Sequence, residues 1–333
     1  MEHLRPARSR TLSAIVAFSV SAGALIAAAG ATYGQPFPSK PIHFVVPIGT
    51  GGAPDVLART LGQRITESTG QPVIVDNRPG GGGIIAVESV MRAAPDGYTL
   101  LVADSSNYAI APSLHAKLAY DPLRDFVPVT LAAAPPIFMV ANAATPIRSV
   151  QDLVALAKSG PAISYGSSGN GNGNHLAMEL FRSLTGTNLV HIPYKGVATL
   201  VPALLSGDVS VGFAGLPSIQ PHARAGKLRI LAVASGKRSA LTPDIPTVAE
   251  SGVPKFEVNI SIGFLAPAGT PRDAVTRLNE ELVRALKMPD VRQRLELVGI
   301  EPVGSTPEQF GQLIHSEMQV FRALVKATGI RVD

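Results

Sequence analysis

Short apolar runs alternate with amphipathic segments along most of this chain. The first apolar runs lie at residues 42–46, 73–75 and 99–102. The first two are followed by helical patterns at 54–68 and 83–93, and the third is followed by a turn. Strands that alternate with helices in this rhythm indicate βαβ units and a largely parallel sheet.

A second series of the same kind begins near residue 137. Its predicted elements are strands at 137–140, 162–165, 189–192, 209–213 and 228–234, and helices at 149–158, 174–185 and 197–206, with a short helix before the last strand. The chain is therefore predicted to contain two α/β units.

The last third of the chain changes character. An apolar stretch at 256–265 is followed by three helical patterns at 271–287, 289–297 and 307–327.

The start of the final predicted helix has a clear sequence signal. Thr306 is predicted as its N-cap, Pro307 occupies the first turn, and Gln309 stands at the capping-box position. These residue types satisfy the N–H groups that a helix start leaves without partners.

Residues 1–31 have the pattern of a secretory signal peptide. Arg5, Arg8 and Arg10 precede an apolar stretch that reaches about residue 29, and small residues follow it. The apolar stretch is also close to the length of a short membrane span, so an uncleaved anchor is the alternative. The small residues favour cleavage and a mature protein outside the cytoplasm.

Composition narrows the function classes. Without residues 1–31 the chain has 26 basic and 23 acidic residues, a net charge of +3, and it contains no tryptophan and 5% aromatic residues overall. Basic side chains are not clustered, so nucleic acid is not an expected partner. The chain has no cysteine, so packing has to supply its stability.

The most informative motif is the glycine-rich turn after the first predicted strand. Glycines at 49, 51 and 52 allow the backbone to approach a ligand, and the helix that follows offers N–H groups without intrahelical acceptors. An anion is expected there. The motif half matches a dinucleotide fingerprint, but Pro54 stands where Gly or Ala is needed. The turn is therefore predicted to hold a small anion, and no cofactor is expected.

Polar residues also follow several later strands, where ligands of parallel sheets usually bind. The candidates are Ser105, Ser106 and Asn107 after the third strand, Ser167, Ser168, Asn170 and His175 in the second unit, and Tyr194 and Lys195 after the strand at 189–192. For each set, an ordinary polar turn is the alternative interpretation.

Two catalytic interpretations are disfavoured. A nucleophile elbow needs Gly-x-Ser-x-Gly, but the loop that begins at Gly166 has Asn170 in the last position. His175 is interpreted as a structural or ligand-contacting residue at a helix start. The other histidines considered, His43, His115, His191, His222 and His315, do not have metal-ligand spacing, so no metal site is predicted.

The chain resembles a known family, the periplasmic solute receptors of tripartite tricarboxylate transporters, also called the Bordetella uptake gene family. The resemblance extends nearly from end to end through motifs in the same order. These motifs are Pro38-Ser39-Lys40-Pro41-Ile42, Val46-Pro47 with Gly51-Gly52-Ala53 and Asp55, Asp76-Asn77-Arg78-Pro79-Gly80, Ala93-Ala94-Pro95-Asp96-Gly97-Tyr98, Tyr120-Asp121-Pro122, His191-Ile192-Pro193-Tyr194-Lys195-Gly196, Pro243-Asp244-Ile245-Pro246 and Ala266-Pro267-Ala268-Gly269-Thr270-Pro271.

The resemblance implies a two-domain periplasmic binding protein that closes over its ligand, of the type II Venus flytrap class with two crossover segments. We expect a signal peptide at 1–31, a discontinuous first domain at 36–136 plus 257–333, and a second domain at 137–256. The implied function is capture of a small carboxylate solute by a monomeric, non-enzymatic receptor, with delivery to membrane permease subunits. A sensor protein as the partner, and a secreted α/β hydrolase, are the alternatives.

The resemblance also implies site residues and shows departures from the usual pattern. The first loop, Ile48, Gly49, Thr50, Gly51, Gly52 and Ala53, is expected to grip a carboxylate, and Asp55 is expected to start the helix and brace the loop. Ile48, Gly49 and Thr50 replace a rigid apolar rim. Ala214 and Gly215 stand where relatives often have Asp or Asn, and Ser261 stands where many have Trp. The preferred solute is therefore expected to differ from the solutes of those relatives.

Overall fold

The computed structural model of the chain describes residues 37–115 and 117–330, together with Met1. The predicted signal peptide therefore lies outside the described residues, apart from Met1. Within the described part, no helix is both long enough and apolar enough to cross a bilayer. The body considered below begins at Lys40.

Ten strands are described. In chain order they are β1 (Ile42–Val46), β2 (Val73–Asn77), β3 (Thr99–Asp104), β4 (Phe126–Ala133), β5 (Ile137–Asn142), β6 (Ile163–Ser167), β7 (Leu189–Pro193), β8 (Val211–Gly215), β9 (Leu228–Val233) and β10 (Ile262–Pro267).

The described α-helices are α1 (Ala53–Thr69), α2 (Ile84–Met91), α3 (Ala111–Leu114), α4 (Val150–Ser159), α5 (Gly173–Thr185), α6 (Val197–Ser206), α7 (Leu216–Arg224), α8 (Arg272–Lys287), α9 (Pro289–Leu297) and α10 (Pro307–Thr328). A 3₁₀ turn at Gly81–Gly83 precedes α2, and a π-helical segment at Ser106–Ile110 runs into α3.

The strands form two five-stranded sheets, which define two lobes. The first lobe contains the sheet β2-β1-β3-β10-β4, and the second contains the sheet β7-β6-β8-β5-β9. In each described sheet one strand runs against the others: β10 in the first lobe and β5 in the second. These are the strands by which the chain arrives from the other lobe, and the sheets are otherwise parallel as predicted.

The two-domain α/β class predicted from the sequence is confirmed, but several elements differ from the prediction. The pattern missed β4, because Pro128 interrupts its apolar run. A proline is tolerated there because β4 is an edge strand, and its register against β10 shifts beside Pro128. The turn expected after β3 is the π-helical segment instead. The strand expected at 256–265 begins at Ile262.

The predicted start of the final helix is confirmed. The Thr306 hydroxyl accepts the Gln309 N–H at 3.2 Å, and the Gln309 side chain accepts the Thr306 N–H at 3.0 Å. The helix α10 then packs against β4 and the π-helical segment of the first lobe, and against α5 of the second. The helix α10 therefore contacts both lobes near the end of β3, where the π-helical segment begins.

The packing of α10 depends on a glycine in β10. The Phe310 ring is fully buried and lies edge-to-face with Tyr108, with ring centres 5.7 Å apart. A Cβ atom at Gly263 would lie 2.1 Å from Cζ of Phe310 and 2.8 Å from the Thr130 carbonyl oxygen. Only a residue without a side chain allows the ring to approach the sheet this closely.

We expect Gly263→Ala to lower the free energy of unfolding by about 1 to 3 kcal/mol, the usual cost of overpacking a core. The matched control is Gly311→Ala in α10, where the new Cβ would meet Pro128 at an ordinary 3.6 Å. That change should raise stability by about 0.5 to 1 kcal/mol, because alanine favours helix over glycine. Urea unfolding measures both, and equal effects would contradict the role assigned to Gly263.

Candidate functional site

The turn between β1 and α1 has an open backbone. Gly49, Thr50 and Gly51 are exposed, Ile48 is partly buried, and Gly51 adopts a φ of +88°. Gly52 is the N-cap of α1 and contributes no side-chain cap to the helix start. The turn thus presents backbone N–H groups at the start of a 17-residue helix.

Asp55 fixes this turn from behind. Its side chain is buried, its Oδ2 accepts the Gly51 N–H at 2.9 Å, and its Oδ1 accepts from Arg59 at 3.0 Å and from Asn77 at 2.9 Å. Asn77 also donates to the Ile48 carbonyl at 3.1 Å. Burial by itself would raise the pKa of Asp55, but the bonds from Arg59, Gly51 and Asn77 outweigh it and lower the pKa. The carboxylate is therefore charged and committed to the turn.

Sequence reasoning anticipated the bracing role of Asp55 but not its partner Asn77. Asn77 is the last residue of β2, which pairs in register with Val46 at the end of β1. The family motif Asp76-Asn77-Arg78 was the sequence signal that could have identified Asn77 as the partner of Asp55.

The amides of the turn are divided between the protein and the cleft. Gly51 gives its N–H to Asp55, whereas the N–H groups of Thr50, Gly52 and Ala53 have no acceptor within the described residues. These three donors sit where the helix dipole favours negative charge. The arrangement suits an oxyanion.

Gly83 allows two further segments, the 3₁₀ turn before α2 and the end of β3, to approach this turn closely. A Cβ atom at Gly83 would lie 2.9 Å from Cβ of Pro47 and 2.4 Å from Nδ2 of Asn107. The 3₁₀ turn before α2 is therefore wedged between the β1 turn and the end of β3. Asn107 is itself buried, and its carbonyl accepts the Tyr120 hydroxyl at 2.6 Å.

Ser105 and Ser261 lie in a buried polar network rather than on an open surface. Glu317 of α10 accepts the Ser105 hydroxyl at 2.9 Å and the Ser261 hydroxyl at 2.5 Å, and the Ser261 N–H donates to Oγ of Ser105 at 2.9 Å. Burial raises the pKa of Glu317 although these hydroxyl bonds oppose the rise. The network ties the end of β3 and the start of β10 to the terminal helix.

Glu317 was missed by the sequence analysis. A glutamate in an amphipathic helix has no signal that distinguishes a buried residue from an exposed one. Its burial follows from the long-range contacts of α10 with the strand ends.

Ser106 links the two lobes. Its hydroxyl accepts the N–H of Gly173, the first residue of α5, at 3.3 Å. A Cβ atom at Gly173 would lie 2.2 Å from Cδ1 of Ile260 and 4.0 Å from Cδ1 of Ile110. The end of β3 and the start of α5 are thus in direct contact.

The loop between β6 and α5, residues 168–172, forms the second-lobe side of the site. Oγ of Ser168 accepts from the side chains of Asn172 at 2.7 Å and Asn174 at 3.1 Å, while Asn170 is exposed. We call these five residues the second-lobe loop.

The end of β7 joins the second-lobe loop through its backbone. The Tyr194 N–H donates to the Ser167 carbonyl at 3.0 Å, and the Gly196 N–H donates to the Ser168 carbonyl at 3.1 Å. Lys195 between them is exposed, whereas Tyr194 is partly buried.

Three aromatic rings stack behind the second-lobe loop. The His175 and His191 rings lie 3.8 Å apart at 12°, and Tyr165 stacks on His191 at 4.9 Å and 22°. Burial and the neighbouring His191 lower the pKa of His175 to about 4, and burial lowers the pKa of His191. His191 had no predicted role, because its place beside Tyr165 follows from the pairing of β7 with β6.

Ser167 and His191 are close but do not form an accessible nucleophile. Their Oγ and Nε2 atoms are 2.6 Å apart, yet Ser167 is fully buried, and because its hydroxyl donates to the Gly169 carbonyl at 2.9 Å, it accepts from His191. The pair holds a loop in shape. Among the described residues no cluster of three or more His, Asp or Glu side chains has metal-binding geometry.

The end of β8 contributes backbone rather than a polar side chain. Ala214 is fully buried in an apolar cluster with Phe138 and Leu200, and Gly215 is the N-cap of α7. The sequence-predicted site residues therefore fall into two groups. The buried group is Asp55, Ser105, Asn107, Ser167, His175, Ala214 and Ser261, the exposed group is Gly49, Thr50, Gly51, Asn170 and Lys195, and the others are partly buried.

Comparisons with known proteins agree with this architecture. The family described as tripartite tricarboxylate transporter family receptor matches residues 57–330. Protein BugT of Bordetella pertussis is 36% identical over 326 residues, covering 97% of this chain and 99% of BugT.

Solved structures of related proteins include ligands. An R. palustris protein solved with adipate is 34% identical, with a TM-score of 0.85, covering 89% of this chain and 99% of that protein. MatC from Rhodopseudomonas palustris, solved with bound malate, is 31% identical, with a TM-score of 0.81, covering 87% of this chain and 100% of MatC.

We expect Asp55→Asn to lower the free energy of unfolding at pH 7 by about 1.5 to 3 kcal/mol, because hydrogen bonds to a charged group are lost. The matched control is Asp273→Asn at the exposed first turn of α8, which should cost less than about 1 kcal/mol as a dipole effect alone. Chemical denaturation measures both changes.

The pH dependence of the stability difference between wild type and Asp55→Asn is a second readout of the same test. Since the pKa of Asp55 is lowered in the folded protein, its stabilisation is present at neutral pH and is lost as the pH falls below the ordinary carboxyl range. The gap between wild type and Asp55→Asn should therefore narrow in acid. A constant gap would contradict the bracing role of the charge.

Proposed function

We propose, on the premise that this chain belongs to the tripartite tricarboxylate transporter receptor family, that it captures a small carboxylate solute between its two lobes and delivers it to membrane permease subunits. The family resemblance drawn from the sequence motifs is confirmed. Its members are solute-binding receptors rather than enzymes.

The N–H groups of Thr50, Gly52 and Ala53 are the observation that best supports a carboxylate ligand. They are unpaired within the described residues and stand at the start of α1. Two related receptors were solved with the dicarboxylates adipate and malate. We infer that one carboxylate of the solute accepts from these amides.

The energetics of such a site are adequate. A charge-assisted hydrogen bond contributes roughly 1.5 to 3 kcal/mol, and a micromolar site needs about 8 kcal/mol. Three amide bonds with further contacts from the second-lobe loop therefore suffice. Ser168, Asn170 and Tyr194 are the proposed partners of the far end of the solute, with Ser106 and Lys195 at the rim.

The buried group has a different proposed role. The buried side chains make hydrogen bonds to other protein groups; these are the side chains of Asp55, Ser105, Ser261 and His175. We infer that they hold the loops in shape for the solute rather than touch it.

Closure of the lobes is the proposed signal to the permease. The domain boundaries expected from the sequence, 36–136 plus 257–333 and 137–256, place hinges where the chain passes between the two sheets. A solute that contacts both lobes favours the closed form, which a membrane partner can recognise. The signal-peptide pattern at 1–31 supports a periplasmic location, and we propose that the receptor works there as a monomer.

A ligand screen on the purified protein tests this function. Adipate or malate, or another carboxylate from a panel, should raise the free energy of unfolding by about 2.7 kcal/mol at one hundred times Kd. Calorimetry should give one site, and the solute should be recovered unchanged. If the protein turned the solute over, or if no carboxylate stabilised it, the proposal would be overturned.

Gly51→Ala tests whether the first turn belongs to the site. Gly51 and Gly70 both have left-handed φ values, +88° and +70°, and an added Cβ meets nothing within 4 Å at either position. Each change should cost about 1 to 2 kcal/mol of backbone strain, but Gly70 lies at the far end of α1.

Gly51→Ala should therefore weaken solute binding about tenfold or more, whereas Gly70→Ala should lower stability and leave the affinity unchanged. Titration calorimetry measures the difference. If both variants bound like wild type, the turn would be only a connection between β1 and α1.

A further inference from the structure

The stacked histidines lie directly against the second-lobe loop. His175 is in the first turn of α5, His191 is on β7 and Tyr165 is on β6, so three elements meet in one stack. His175 is 6% exposed. His191 stacks on His175 and on Tyr165, while Nδ1 of His175 contacts Gly171 and Nε2 of His191 contacts Ser167.

The hydrogen bond from the loop defines the protonation state of His175. The Gly171 N–H donates to Nδ1 of His175 at 3.0 Å. A nitrogen that accepts a hydrogen bond has no proton of its own, so His175 is the neutral tautomer protonated on Nε2. A second proton on Nδ1 would face a backbone donor and break this bond.

The bond to Gly171 organises the rest of the loop. Asn172 caps α5 by accepting the His175 N–H at 3.0 Å, and its side chain donates to Ser168 at 2.7 Å. His175 thus holds the loop through its ring and through its backbone. Loss of the Nδ1 bond frees Gly171 between these two fixed points.

Few charged groups oppose this arrangement. On α5, Glu179 faces the stack but is paired with Arg182 at 2.6 Å and accepts the Tyr165 hydroxyl at 2.6 Å. On β7, His191 lies against His175, so protonation of both rings would place two cations 3.8 Å apart. By its sequence β8 has no titratable residue, and on α10 Glu317 is bound to Ser105 and Ser261.

We propose that His175 and His191 are positioning residues for solute binding: the second-lobe loop keeps its binding shape while both imidazoles are neutral, and acidification releases it. This inference rests on the proposed function of the site. The lowered pKa of His175, about 4, agrees with a stack that resists protonation. Solute affinity should therefore fall as the pH drops from neutral toward that value.

The test compares variants that differ in their titration. His175→Asn supplies a non-titrating oxygen near the position of Nδ1, and His175→Ala removes the acceptor. His315→Asn, on an exposed position of α10, is the matched control. Adipate and malate affinities are measured by calorimetry between pH 7.5 and 3.5, and each variant is compared with wild type at every pH so that the ionisation of the solute cancels.

With a pKa of about 4 for His175, wild type and His315→Asn should lose about fourfold more affinity across this range than His175→Asn. His175→Ala should bind weakly at every pH. If His175→Asn lost affinity as steeply as wild type, the proposal would be overturned.

A second measurement does not depend on the solute. In ¹⁵N-labelled wild-type protein, the Gly171 amide resonance should move with the same midpoint as the His175 ring protons. A Gly171 amide that stayed unchanged while His175 titrated would overturn the proposal. If neither adipate nor malate bound at pH 7.5, the proposed function would fail for those solutes, and the amide titration would still decide this inference.

Discussion

The site depends on how backbone N–H groups at the strand ends are divided between the protein and a solute. The Gly51 N–H donates to Asp55 and the buried Gly171 N–H donates to His175. The N–H groups of Thr50, Gly52 and Ala53 have no acceptor among the described residues, and we propose that an anion binds them. The buried polar side chains thereby decide which donors the cleft presents.

The two lobes use different side-chain chemistry to hold a loop amide in place. In the first lobe a charged carboxylate holds the turn, and the bonds from Arg59 and Asn77 keep it ionised despite its burial. In the second lobe a neutral imidazole holds the loop. Because burial and His191 lower the pKa of His175 to about 4, the imidazole brace resists protonation until near that pH. The pKa of Asp55 is lowered below the ordinary carboxyl value, so the carboxylate brace is lost only in stronger acid.

Topology brings these loops together. Each described sheet has the same arrangement of three parallel strands followed by a reversed strand and an edge strand, and the reversed strand belongs to the chain arriving from the other lobe. The carboxyl ends of the parallel strands carry the candidate loops, and Ser261 lies beside them just before the reversed strand β10. The helix α10 packs across both lobes from behind and supplies Glu317 to the ends of β3 and β10.

Much of this architecture is local in origin and was predictable. The alternation of strands and helices, the capping box at Thr306 and the glycine turn at residues 49–52 depend on neighbours within a few residues, which the sequence displays directly. The β4 strand was missed because Pro128 breaks its local pattern. A proline is tolerated there because β4 lies at the edge of the sheet, and that position depends on the whole sheet.

The fold class, the family and the positions of the candidate loops follow from local sequence patterns. Which polar residues in those loops are buried and which are exposed depends on tertiary packing. Ser105, Ser261 and His175 were candidate site residues in the sequence, and in the structure their side chains are hydrogen-bonded to Glu317 and Gly171. The reason is physical: burial and pairing are set by residues such as Glu317 and His191, which are distant in the chain and become neighbours only when the sheets and α10 have packed.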